Sequence, residues 1–467
     1  MANGLDLFDD DGYRSLVGPE FKRWLGQMRD IHGCAEPVYL VGASTTRDKI
    51  TGQVVHEYSS STLPYGRLAV PCGNRREGVC PSCAYIHKGD TFQIIVAGLA
   101  GGKGVPDSVA GHPRVFLTLT APGFGVVHRV VESGGVCRPY LPWRKGAMCE
   151  HGMLLRCGRV HQPDDWLVGS PLCEQCYDYA GAVLWNAHAG PLWNRFCIQV
   201  RRQVAVSMGI DRSKIGRHVR LSFAKVVEYQ RRGLVHMHAV ARFDGPGGPD
   251  SAPPAWADLR MLIGAIESAA PLVSLGVPDP AGAGIRMLSF GSQLDVRAIV
   301  ASGEGSGMSD RHAAAYIGKY VSKGTVPGLV LDKRVNSAEQ IEHEHLNRQG
   351  RLMMRACWQL GQDHPEFAAL KLQRWTHQLG FRGNVATKSR KWSSTYTAAR
   401  QERAAFRRSQ VDAPDYPGEV VTEKKWQFDR QGHATAAEAA YAAGIAEGEA
   451  RRRAPRRSRS SPAGGGS

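Results

Sequence analysis

Two apolar runs of about ten residues, separated by a four-residue turn, constrain the fold of this chain more than any other feature. The first is Arg-Leu-Ser-Phe-Ala-Lys-Val-Val-Glu-Tyr, from Arg220 to Tyr229. The second, residues 234–243, reads Leu-Val-His-Met-His-Ala-Val-Ala-Arg-Phe. Both are rich in β-branched and aromatic residues, and Gln230-Arg231-Arg232-Gly233 between them carries the glycine of a tight turn, so the pair predicts a β-hairpin. The Gly/Pro/Ser-rich stretch 244–254 closes the unit. A further strand is predicted at Val115-Phe116-Leu117-Thr118-Leu119-Thr120, stopped by Ala121-Pro122-Gly123. Helical patterns at 311–323 and 338–376 make the class mixed α and β. At 467 residues, two or three domains are expected.

The second strand carries His236-Met237-His238. Side chains two apart share one face of a strand but point about 200° apart around a helix. Both rings can therefore reach one cation from a strand. His343-Glu344-His345 has the same pattern in a charged helical stretch and cannot easily chelate. Glu228 lies on the partner strand and completes a two-histidine, one-carboxylate set, with Gln230 as the fallback. Such a set leaves positions open for substrate oxygens and water, and its metal acts as a Lewis acid on a phosphate oxygen.

The nucleophile candidates stand in Tyr316-Ile317-Gly318-Lys319-Tyr320-Val321-Ser322-Lys323. Tyrosines four apart share a helix face, and Lys319 and Lys323 follow them by three. A phenol of pKa about 10 needs a nearby cation to act as a nucleophile at neutral pH. Two core-facing aromatics with exposed lysines would be the ordinary reading of such a pair taken alone.

Lys and Arg outnumber Asp and Glu by 59 to 43, which suits a polyanionic partner such as nucleic acid. Basic residues interleaved with aromatics between 374 and 392, among them Arg382, Lys388, Arg390 and Lys391, suit phosphate contact and base stacking on single strands. The segment 97–104 resembles a phosphate-binding loop only loosely, since Ala97 and Gly104 stand where that loop needs Gly and Ser or Thr, so no ATPase module is expected. Nothing in the sequence suggests a membrane span or a secretory signal, and the expected location is the cytoplasm.

Nine of eleven cysteines fall before residue 177. In a cytoplasmic protein that favours metal over disulfides. Cys72-x7-Cys80-x2-Cys83, with Cys34 as the fourth thiolate, predicts one tetrahedral zinc site. Cys149-x7-Cys157 with Cys173-x2-Cys176 predicts a second, with His151 and His161 as alternative ligands. Cys137, Cys197 and Cys357 are left as buried thiols.

The order Phe116 to Thr120, His236-x-His238 and Tyr316-x3-Tyr320 resembles the HUH endonuclease superfamily, in the motif order of its replication proteins. The chain is most similar to RepSA-type initiators of actinobacterial plasmids and integrative elements, through residues 98–104, 112–125, 228–245, 316–323 and 379–390. That resemblance implies an α+β fold, with a central antiparallel sheet of about five strands flanked by helices. It also implies a metal-dependent nickase of rolling-circle replication, in which a tyrosine takes the 5′-phosphate and frees a 3′-OH, and later rejoins the strand. Tyr320 is assigned the first cleavage and Tyr316 the closing transfer. Manganese or magnesium is the implied catalytic metal. The implied partners are single-stranded or hairpin origin DNA and a host helicase, polymerase and single-strand-binding protein.

The regions expected are an N-terminal zinc-binding region at 1–110 and the endonuclease domain at 111–335, with a zinc-binding insertion at about 137–180. A helical, basic DNA-binding region at 336–433 follows, then an Ala-rich helix and disordered basic tail at 434–467. Three rivals remain: a two-tyrosine transposase of the same superfamily, a non-enzymatic zinc-containing DNA-binding regulator, and a two-histidine iron oxygenase.

Overall fold

The computed structural model describes residues 18–131, 133–137, 148–282, 284–300, 308–322, 327–409 and 418–453. The basic tail beyond Arg453 and the second lysine of the tyrosine segment, Lys323, lie outside them. By packing, the chain divides into residues 1–89 with 400–467, and residues 90–399. These divisions do not fall at 110/111, 335/336 or 433/434, because the C-terminal segment pairs with the N-terminal one. Among the described residues no helix is long and apolar enough to cross a membrane.

In the first unit, Val38–Asp48 is the shared strand. It pairs antiparallel with Val420–Gln431, Val54–Ser59 and Leu68–Val70. The helix Pro19–Asp30 presents Phe21, Trp24 and Met28 to a small core that also holds Tyr39 and Ala442 of the helix Ala436–Arg453. Trp24 Nε1 donates to the Tyr39 hydroxyl at 3.1 Å, so the indole N–H is not stranded on burial. That C-terminal helix includes Arg451, Arg452 and Arg453 in its last turn.

The second unit is built on a six-stranded sheet. Its order is Met308–Ser309, Leu294–Val300, Arg114–Leu119, Val235–Asp244, Arg220–Tyr229 and Ala386–Lys388. All pairs are antiparallel except the two-residue strand Met308–Ser309. The predicted hairpin is present, with strands Arg220–Tyr229 and Val235–Asp244. Gly233 in its turn has φ +83°, a conformation that favours glycine.

Alternation sorts the residues of the sheet onto two faces. Val115, Leu117, Leu119, Met237, Ala239, Ala241 and Phe243 face one core, shared with the 29-residue helix Tyr179–Ser207. Within that helix Asn186 is fully buried, and its amide is spent on the turn: Nδ2 donates to the Gly233 and Leu379 carbonyls, and Oδ1 accepts from Val235 N–H. Phe116, Ala224, Val226 and Val240 face the opposite core with Ile94, Ile95 and Leu99 and the helix Asp310–Ser322.

Trp392 belongs to this second core, fully buried, with the Arg242 guanidinium 4.9 Å from its ring centroid. Its ring occupies the space that a Cβ at Gly98 would need. Phe381 is buried too. The basic–aromatic alternation at 374–392 is thus split by function: these aromatics fill the interior and do not stack on bases. Trp392→Ala is expected to cost about 3–5 kcal/mol of unfolding free energy, read by chemical denaturation. A residue used for base stacking would leave the midpoint unchanged.

Candidate active site and metal centres

The histidine strand lies between Arg114–Leu119 and Arg220–Tyr229, so the register decides what surrounds His236 and His238. His236 pairs directly with Glu228, and His238 with Thr118. Cross-strand and diagonal neighbours on one face are within reach of long side chains. Glu228 Oε2 accordingly comes 3.6 Å from His238 Nε2, and His238 Nδ1 hydrogen-bonds Thr118 Oγ1 at 3.1 Å. His236 Nε2 lies 3.4 Å from Thr120 Oγ1, and the Gln230 amide nitrogen donates to His236 Nδ1 at 3.1 Å. The two imidazoles stack with centroids 4.6 Å apart.

The tyrosine helix, Asp310–Ser322, buries Ala313, Ala314, Ile317 and Val321. That spacing, three to four residues apart, is the apolar stripe of a helix lying on a sheet. Tyr316 and Tyr320 fall beside the stripe, half-buried, where the helix passes the histidines. The Tyr320 ring stacks on His238 at 4.8 Å, and Tyr316 meets His238 edge-on at 5.2 Å. The Tyr320 hydroxyl donates to the Tyr316 hydroxyl at 3.2 Å. Lys319 is exposed, with Nζ 5.8 Å from the Tyr320 ring centroid, so it lies over the ring.

Burial dominates the electrostatics. Desolvation, then the like charge of His238, pushes His236 down to about 4. Desolvation, the hydrogen bond to Tyr316 and the Glu228 charge all push the Tyr320 hydroxyl above its ordinary value. At neutral pH the site therefore holds an uncharged His236 and a protonated Tyr320.

The residues fit a divalent cation in one specific respect. His238 Nδ1 hydrogen-bonds Thr118 Oγ1, and Nε2, buried beside the Glu228 carboxylate, has no hydrogen-bond partner among the described residues, so with the proton on Nδ1 it would present a lone pair to a cation. An oxygen acceptor behind a ligating histidine is the usual way of fixing its tautomer. The ligand atoms of His236, His238 and Glu228 do not already converge as the cysteine clusters do. Thr118 and Thr120, predicted only as strand residues, both face the histidines. Their period-two placement opposite the histidines is the signal that could have shown this. The decoy pair is not gathered for chelation: His343 ends a short helix, and both it and His345 are exposed.

Among the described residues three clusters bring metal-ligand atoms within 4.8 Å of one another, and each could hold zinc. In the first unit, Cys34, Cys72, Cys80 and Cys83 come together, with Sγ–Sγ separations of 3.7 Å from Cys34 to Cys80 and to Cys83. Backbone N–H groups of Ala35, Cys72 and Asn74 point at these sulfurs. In the second unit, Cys149, Cys173 and Cys176 gather with His151 and not with Cys157. A tight turn, in which Cys149 N–H donates to Met153 and Gly152 N–H to Cys149, puts His151 beside Cys149. Cys157 joins His128, Cys137 and His161, because the backbone of Cys137 pairs with Gly158 and Arg159. The repeated Cys-x7-Cys spacing therefore does not group Cys157 with Cys149, and Cys137, expected as a buried thiol, lies among three other potential ligands.

Of the basic residues, Arg382, Arg390 and Lys391 are exposed, while Lys388 donates to the Ser393 carbonyl at 2.8 Å and burial lowers its pKa.

A sheet with paired histidines and paired tyrosines, beside thiolate clusters that could hold zinc, describes a protein of α+β class, and comparison with known proteins specifies the family. The family profile described as "Replication initiator protein, pSAM2" matches residues 20–447. The chain is 40% identical over 445 residues to a replication initiator protein of Streptomyces ambofaciens, covering 93% of this chain and 92% of that one. It belongs to the RepSA family of replication initiator proteins. No solved structure matches it.

In metal-free protein, His236 is expected to stay neutral as pH falls, its imidazole NMR signal holding steady from pH 8 to 5 and moving only near 4. An unfolded histidine protonates near 6.5, about 2.5 units higher. The unfolded chain thus takes up the proton first, and acidification across that window destabilises the unit. An inflection near 6.5 in the folded protein would contradict the burial argument.

Proposed function

We propose that this initiator nicks and later rejoins origin DNA through Tyr320 and Tyr316, to start rolling-circle replication in the cytoplasm. The observation that carries this reading is the juxtaposition on His238: Tyr320 stacked on it, Tyr316 edge-on to it, and the two hydroxyls 3.2 Å apart. Two nucleophiles so close can serve successive transfers at one phosphate-binding position.

The first step puts Tyr320 Oη on the scissile phosphorus. The P–O3′ bond breaks, leaving a 5′-phosphotyrosine and a free 3′-OH that primes synthesis. Tyr316 accepts the hydrogen bond of Tyr320 before attack and is the nucleophile of the closing transfer. His236, His238 and Glu228, with Gln230 in reserve, would hold manganese or magnesium, which supplies Lewis-acid stabilisation of the phosphate oxygen. Glu228 holds Tyr320 protonated through its charge, so engaging that carboxylate removes one cause of the raised pKa. Thr118 keeps His238 Nε2 turned towards the ligand position. Lys319 and Lys323 supply positive charge beside the DNA.

Arg382, Arg390 and Lys391, with Lys388 at the margin, suit the phosphate backbone of a single-stranded or hairpin origin, and the chain's net charge of +16 favours that partner. Zinc at the cysteine clusters serves folding. A host helicase, polymerase and single-strand-binding protein would complete replication.

Supercoiled origin DNA with manganese tests the reading, with covalent protein–DNA adduct as the signal. Wild type is expected to form adduct, and Tyr320→Phe to lose first cleavage by about a thousandfold or more. Tyr316→Phe should still nick but fail to rejoin. Adduct from the double variant would sink the mechanism, and wild type that binds origin without nicking would favour the regulator.

A further inference from the structure

The third cluster joins two residues expected in the second zinc site, Cys157 and His161, to two expected in none, His128 and Cys137, and its chain order is informative. Its ligands are His128 with Cys137 and Cys157 with His161. Those of its neighbour are Cys149 with His151 and Cys173 with Cys176. Along the chain the four pairs alternate between the two sites, so each site joins pairs that the other separates.

The third cluster is built as a zinc site in its own right. Cys137 and His161 are buried, at 0% and 3% exposure. His161 Nε2 lies 3.2 Å from both Cys157 Sγ and His128 Nδ1. Behind it, His161 Nδ1 donates to Asp165 Oδ2 at 2.6 Å, the carboxylate–histidine pairing that fixes a ligating tautomer. Cys137 Sγ accepts from Arg129 N–H. Two thiolates and two imidazoles are a common tetrahedral zinc set.

Both halves of this site are tied to the hairpin turn next to His236. The Asp165 carbonyl accepts from Arg231 at 3.1 Å. The backbone of His128 exchanges hydrogen bonds with Gly169 and Ser170, and Gly169 packs so closely on Arg231 that a Cβ there would sit 2.5 Å from its carbonyl carbon. From the turn, Arg232 donates to Gln230 and to the Ala121 and Pro122 carbonyls, and Gln230 donates to His236.

We propose that His128, Cys137, Cys157 and His161 bind a third zinc ion, that the two interleaved sites form one cross-braced unit, and that this unit clamps the 230–233 turn. The proposal does not depend on the nicking reading.

Zinc content per purified full-length chain and hydrogen–deuterium exchange of peptides across the 230–233 turn test it together. Wild type is expected to hold three zinc ions. Cys157→Ser should lose at least one and exchange faster across the turn, while a peptide within Val38–Asp48 is unchanged. His161→Cys, which keeps four ligands, should retain three ions, and its cobalt form should show stronger thiolate-to-metal absorption than wild type. Two ions in wild type, with Cys137 and Cys157 open to alkylation in the native protein, overturn the site. Unchanged exchange across the turn in Cys157→Ser overturns the clamp.

Discussion

The candidate active site depends first on the pairing register of one strand, Val235–Asp244, with its two neighbours. A slip of one residue would turn every side chain to the opposite face, moving His236 and His238 into the core shared with the long helix. The register is pinned at both ends. At the turn, Gly233 supplies the left-handed conformation and Asn186 satisfies the carbonyl and N–H groups around it. At the far end, Asp244 is fully buried and accepts from His112, Ser222 and Arg242. Burial alone would raise that carboxyl, but the hydrogen bonds from His112 and Arg242 outweigh it and hold the group below its ordinary value. Arg242 also reaches the Gly98 carbonyl, so the same charge cluster fastens the strand to the helix ending at Ala100. Buried ions are tolerated only when paired and hydrogen-bonded in this way.

The site follows from a change of chemistry along one face of the sheet. Phe116, Ala224, Val226 and Val240 are apolar, and beyond them the same face turns polar at Thr118, Thr120, Glu228, His236 and His238. The helix Asp310–Ser322 covers the apolar part with Ala313, Ala314, Ile317 and Val321. Its tyrosines fall where apolar gives way to polar. Their surroundings are dry enough to keep His236 neutral and Tyr320 protonated, yet they hold a carboxylate. On the proposed nicking reading, such a site rests in an inactive protonation state and is activated by the charge that enters with substrate and metal.

The local elements were legible because their signals are local. The hairpin, its turn glycine, the strand at Val115–Thr120 and the tyrosine helix are written in period and punctuation. The histidine pair was separable from His343 and His345 by strand context, and three thiolates of the first unit by spacing, with Cys34 added as the fourth. What the sequence hides is pairing at a distance. Val38–Asp48 and Val420–Gln431 pair across nearly the whole chain, and neither strand marks its partner. Trp392 looked like a stacking residue because basic neighbours surround it. Its burial is decided by Gly98, almost three hundred residues earlier. Cys157 was assigned by a repeated spacing, whereas its partner was set by the backbone pairing of Cys137 with Gly158 and Arg159.

The cysteine–histidine clusters of the second unit coincide with a deficiency visible in burial. Between the first strand and the long helix, Met148, Met153, Leu154, Val160 and Trp166 are all exposed, Trp166 at 71%. A segment that leaves these large apolar residues in water gains little order from hydrophobic burial there. Its described hydrogen bonds are mostly turns and isolated bridges, and these do not outweigh chain entropy by themselves. Ligand–metal bonds can supply folding free energy on the order of 10 kcal/mol per structural zinc. With zinc bound as proposed, the interleaved order of the ligands would spread that stabilisation over the whole segment, including the part that touches the histidine hairpin.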